Sequence, residues 1–115
     1  MTEVVLVEAT DTFTYVAVKG NLDAAGVGQA DLRLTSQTVT RRKPSIIDLN
    51  EVGFIASLGI GMLAAIAKAL RAHHVGLAVV SGPSPVRDVL DLMNLSPLIH
   101  VVGSREEALR ALDLA

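Results

Sequence analysis

The chain has no cysteine and no tryptophan, and its 115 residues include only one tyrosine and two phenylalanines. Without cysteine there is no disulfide staple, no thiolate zinc site and no cysteine nucleophile, and a reducing compartment is allowed. So few rings cannot form a base-stacking platform. Ten Lys and Arg against 12 Asp and Glu leave a net charge of -2 with no basic stripe, so direct nucleic-acid binding is not expected. A long apolar run is missing as well. The longest stretch without charge, Val52 to Ala67, falls short of the roughly 18 to 20 residues that cross a bilayer, and Gly53, Ser57, Gly59 and Gly61 interrupt it. It reads as buried in protein, with no membrane insertion. Met1-Thr2-Glu3 has no basic region ahead of an apolar stretch, so no secretory signal is read and the cytoplasm is the expected location.

What is present is aliphatic. Half the residues are apolar, and the core must be made of Val, Ile, Leu and Ala, which suits a sheet covered by helices. The length accommodates one domain, 1–115, that folds without staples. Val4 to Glu8 and Phe13 to Lys19 read as a β-hairpin around a polar turn. Asp23 is a candidate N-cap for a helix carrying Val27, Ala30, Leu34 and Thr38, in which Gly26 and Gly28 are poor helix formers. Arg41-Arg42-Lys43-Pro44 ends it as a solvated basic turn, and Ser45 to Leu49 reads as a strand bounded by Asn50. A helix over Leu58 to Ala72 follows, apolar on nearly every side, with Ile60, Leu63, Ala64, Ala67 and Leu70 as its main stripe. Leu77 to Val80 is a strand. Ser84 and Pro85 open a helix that Asn94 ends, Leu98 to Val102 is the last strand, and Ser104 with Glu107 has capping-box spacing. The order β-β-α-β-α-β-α-β-α predicts an α/β domain with a mixed sheet, mostly parallel behind an antiparallel N-terminal hairpin, and about four helices.

Catalytic constellations are scarce. His73 and His74 are adjacent on a helix end, point in different directions and cannot chelate one metal together, so no metal site is read. His100 falls inside a short strand and reads as a partly buried histidine. Gly59-Ile60-Gly61 lacks the Lys-Ser/Thr of a phosphate loop and the third glycine of a dinucleotide fingerprint. Ser57 has a glycine two residues after it but Ile55 two before, half a nucleophile elbow, and no Asp-plus-His pair accompanies it. An enzyme acting through Ser57 is therefore not expected. Taken by itself, Ser57 reads as an N-cap accepting from the amides of Gly59 or Ile60.

The run Ile46-Ile47-Asp48-Leu49-Asn50-Glu51-Val52-Gly53-Phe54-Ile55-Ala56-Ser57-Leu58-Gly59-Ile60 resembles the central motif of STAS domains, where a strand ending Asp-Leu leads to a Ser-X-Gly helix start. Gly20-Asn21-Leu22-Asp23 resembles the upstream Gly-Glu-Leu-Asp of that family. The likeness continues through Ser84-Pro85-Val86-Arg87 and Leu90-Asp91-Leu92-Met93-Asn94-Leu95. It implies an anti-sigma factor antagonist, with Ser57 as phosphoacceptor. In such proteins the unphosphorylated form binds an anti-sigma factor that is itself a GHKL-type serine kinase and so frees a sigma factor. Phosphorylation ends the binding, and a phosphatase acting on phospho-Ser57 would restore it. The resemblance also places Asn21, Asp23, Ala56, Leu58 and Gly59 around the partner-binding surface and implies no cofactor. Ala56 and Leu58 stand where many members have Asp and a small residue, and Asn21 replaces the commoner Glu. A second reading keeps the fold but makes it a scaffold or small-ligand sensor in a signalling assembly or beside a membrane transporter.

Overall fold

In the computed structural model, which describes residues 1–114, β1 (Glu3–Ala9) and β2 (Thr14–Lys19) form the antiparallel hairpin. The chain then alternates through α1 (Ala24–Thr38), β3 (Ser45–Glu51), α2 (Ser57–Ala72), β4 (Leu77–Val80), α3 (Pro85–Leu92), β5 (His100–Val102) and α4 (Arg105–Ala111). Ala115 lies outside the described residues. The five strands stand in sequence order β1-β2-β3-β4-β5, and every pair after the hairpin is parallel. This is the predicted order and the predicted mixed sheet.

Strand order explains the layers. Right-handed crossovers between strands that always step the same way must pass over one face, and α1, α2 and α3 all pack there. The row Val16, Ile47, Val79, Val101 runs across the sheet in register and points to that face. Ala30 and Leu34 of α1, Leu63, Ile66 and Leu70 of α2, and Val86 and Leu90 of α3 cover it. One residue earlier on each strand, Tyr15, Ile46 and Ala78 point the other way, as the two-residue period of a strand requires. Among the described residues, that second face is covered by α4 and the residues just after it, through Ala108 and the partly buried Leu109, Leu112 and Leu114.

A polar clamp closes the second face. Arg105, the first residue of α4, is ion-paired with Glu8, and its guanidinium lies 5.4 Å from the centre of the Tyr15 ring and 5.6 Å from that of Phe13. The Tyr15 hydroxyl donates to Asp48 Oδ2 at 2.7 Å, and Asp48 Oδ1 accepts from the Asn50 amide at 2.8 Å.

Four expectations need correction. β3 continues past Leu49 to Glu51, because Glu51 pairs with Lys19 of β2. β5 begins at His100 rather than Leu98, since the Ile99 amide turns back to the Leu95 carbonyl. Ala64 is only half-buried, whereas Met62 and Ile66 join the α2 stripe. The basic triplet is not simply solvated. Arg41 donates to Thr14 Oγ1 and to the Thr10 carbonyl, both at 2.9 Å, and ties the short 3₁₀ turn Val39–Arg41 to the hairpin. Among the described residues, no helix is long and apolar enough to cross a membrane.

Burial, reinforced by the hydrogen bond to Asp48, raises the Tyr15 phenol above its ordinary value of 10.0. The neutral phenol is thus favoured in the folded chain. Its contribution is complete below the unfolded value of about 10 and is lost above it, where only the unfolded chain ionises. Tyr15→Phe should cost about 1 kcal/mol at neutral pH, and the deficit should shrink as pH rises past about 10. Urea unfolding of both proteins from neutral to alkaline pH checks this; parallel stability curves would contradict it.

Candidate functional site

The loops that leave β2 and β3 are joined before either helix starts. Leu22 and Ile55 form an isolated parallel bridge, in which the Leu22 amide donates to the Phe54 carbonyl at 2.8 Å and the Leu22 carbonyl accepts from the Ala56 amide at 3.0 Å. Leu22 is fully buried. Asn21 and Asp23 flank it on one loop, and Ala56 and Ser57 follow its partner on the other. The structure therefore brings the N-termini of α1 and α2 together.

Asp23 is the N-cap of α1 as predicted: its Oδ1 accepts from the Gly26 amide at 2.8 Å. Asn21 is exposed, and its carbonyl accepts from the Thr2 hydroxyl. Gly26 packs so closely on that carbonyl that a Cβ would collide with it. The glycine that weakens the helix in sequence is thus required where the helix meets the loop.

Ser57 is not the cap of α2. Ala56 holds the N-cap position in extended conformation, with its amide committed to Leu22, and Ser57 is already the first helical residue. The amides of Gly59 and Ile60, expected to reach the Ser57 hydroxyl, donate to the Ala56 carbonyl at 2.9 and 3.1 Å. Among the described residues, α2 is the one α-helix without a side-chain cap, since Asp23, Ser84 and Ser104 cap the other three. Ser57 is exposed, and its Oγ has no hydrogen-bond partner among the described residues, so no base is aligned on it. The first-turn amides of Ser57 and Leu58 are likewise unpaired there, the ordinary condition of a helix start.

Leu58 is 58% exposed in the first turn, beside the Ser57 hydroxyl. Gly59 faces the opposite way. It is buried, and a Cβ on it would lie 2.8 Å from Ile55 Cγ1 and 3.0 Å from the Leu22 carbonyl oxygen. Its expected place on the partner surface is corrected accordingly: Gly59 lets α2 sit against Leu22. Sequence reasoning also missed Phe54, 53% exposed on the same loop, because an aromatic amid apolar neighbours reads as core. His73 and His74 are exposed at the far end of α2, and no group of three potential metal ligands occurs among the described residues.

Comparison with known proteins finds likeness both in sequence and in fold. The sequence model of the STAS domain matches residues 4–108. BtrV of Bordetella bronchiseptica, whose name assigns it provisionally to the anti-sigma factor antagonists, is 25% identical over 105 residues, spanning 91% of this chain and 90% of that protein. The crystal structure of an anti-sigma factor antagonist from Mycobacterium paratuberculosis superposes with a TM-score of 0.84 at 24% identity, covering 98% of this chain and 95% of the other. The phosphorylated form of the Bacillus cell fate determinant SpoIIAA superposes with a TM-score of 0.63 at 23% identity, covering 94% of this chain and 97% of that one. These structural likenesses establish the shared fold.

The two glycines of the first turns of α2 should respond in opposite directions. Gly59→Ala forces Leu22 or Ile55 to move and should cost about 1 to 3 kcal/mol. Gly61→Ala adds a methyl where nothing lies within 4 Å and should stabilise by about 0.5 to 1 kcal/mol. Chemical denaturation of the two variants checks the contrast, and equal shifts would contradict it.

Proposed function

The chain belongs to the STAS domain family, and from that premise we propose that it is an anti-sigma factor antagonist switched by phosphorylation of Ser57. Its unphosphorylated form binds an anti-sigma factor that is a GHKL-type serine kinase, and a phosphatase restores the form that binds. The chain is the kinase's substrate and takes no catalytic part itself. The observation that carries this reading is the exposed, unpaired Ser57 hydroxyl on an α-helix that begins without a side-chain cap. The name of the Bordetella relative and the existence of a phosphorylated SpoIIAA support it.

The mechanism follows from the first turn. A hydroxyl with no internal partner can be presented to a kinase without breaking a bond of the fold. The phosphate then sits near the unpaired amides of Ser57 and Leu58 and the positive end of the α2 dipole, which tolerate a dianion. The fold should survive modification while the surface changes. About two negative charges and their hydration shell appear beside Leu58, where a partner would dock, and binding falls through steric exclusion and desolvation.

Ser57→Asp should fold normally but bind the purified anti-sigma factor at least about tenfold more weakly, whereas Ser57→Ala should bind like the native chain and accept no phosphate. Titration calorimetry with circular dichroism as the folding control reads both. Undiminished binding of the enzymatically phosphorylated native chain would contradict the switch. Asp23→Ala removes a cap worth about 1 kcal/mol of stability and should also weaken binding at temperatures where the variant is fully folded. Unchanged affinity there would reduce Asp23 to a cap.

A further inference from the structure

An open, mainly apolar groove of about 450 Å³ runs between α1 and α2, and Ser57 is among the residues that line it. Val27, Leu58 and Met62 give it apolar sides, while Gly61 and Ala65 contribute nothing larger than a methyl. We infer that this groove receives one apolar side chain of the anti-sigma factor, next to a lysine or arginine of the same segment that pairs with Asp31. This rests on the function proposed above and names the chemistry of the partner at that site.

Two features of the groove point outward. The first is Gly61, which is exposed in the interior of α2 with open space within 4 Å of a Cβ built on it. Glycine is a poor helix former, and nothing in this chain's own packing asks for it, in contrast to Gly59, which Leu22 and Ile55 require. A local rule broken without internal gain is expected where something external makes close approach. The second is Asp31, the one charged residue on the lining. It takes part in no ion pair among the described residues, and its hydrogen bond from the Thr35 hydroxyl is long, at 3.4 Å. An unpaired carboxylate beside an apolar slot complements a cation flanking an apolar anchor, and it disfavours an acidic segment. Ser57 shares the lining, so a phosphate there adds negative charge beside Asp31 and hydrates the slot that the anchor must enter dry.

The test uses the full chain and the purified anti-sigma factor that phosphorylates Ser57, with affinity read by calorimetry at low and high salt. Gly61→Leu and Ala65→Leu both fill the groove from exposed helix positions, so if one misfolds by circular dichroism the other still reports. Each should weaken binding by about 30-fold or more, as loss of a central anchor does. Asp31→Asn should weaken it about three- to tenfold and flatten its salt dependence, and Asp31→Lys should weaken it further. Native affinity in a folded groove-filling variant, or an unchanged salt dependence in Asp31→Asn, overturns the inference. If Ser57→Asp abolishes binding while the groove-filling variants bind normally, the switch stands and the groove is not its anchor site. If no anti-sigma factor binds the native chain, both readings fall. A native chain that dimerises, and that Gly61→Leu makes monomeric, would give the groove to a second copy and overturn the inference.

Discussion

The arrangement of the site depends on one buried residue, Leu22, whose amide and carbonyl both bond across to the loop that leads into α2. Those two bonds extend the β2–β3 pairing past the sheet, so that α1 and α2 begin as neighbours rather than as independent helices. The Leu22 side chain and carbonyl then form the wall against which Gly59 packs. Because the Ala56 amide is consumed by Leu22, Ala56 is held extended in the cap position and Ser57 becomes the first helical residue. The position of the hydroxyl thus follows from the backbone pairing at Leu22.

Leaving α2 without a side-chain cap forgoes a contribution of about 1 kcal/mol that α1, α3 and α4 take from Asp or Ser. Stability is supplied elsewhere, through the buried stripe Ile60, Leu63, Ile66 and Leu70 packed on the sheet. A helix so firmly seated along its length can start with free amides and a free hydroxyl. The same helix exposes Leu58 and Gly61 on the side that faces α1 across the groove, so the face that packs on the sheet and the face proposed to meet a partner are separate.

Much of this was legible in the sequence. Alternation and helical spacing gave the strand and helix order, and Asp23, Ser84 and Ser104 were legible as caps because capping is local chemistry. What was not legible depends on contacts between distant residues. Nothing near Arg41 or Arg105 in sequence reveals that the first reaches Thr10 and Thr14 or that the second reaches Glu8 across the domain. Ser57 is a good cap by residue type and lost that place to Ala56 through the Leu22 bond. Gly26, Gly59 and Gly61 look alike in sequence, and only packing separates the two that the fold requires from the one it does not. The candidate site at Ser57 was legible through its motif, while Asp31 and Met62, which line the neighbouring groove one helix away or one turn on, carried no motif at all.

The central claim is that Ser57, and no other hydroxyl, carries the switch. Incubating the native chain with ATP and each purified candidate anti-sigma kinase, then locating added phosphate by mass spectrometry, tests it most directly. The account predicts one phosphate, on Ser57, from the kinase that the unmodified chain also binds. Phosphate on Ser84, Ser104 or a threonine instead, with Ser57 unmodified, would contradict it.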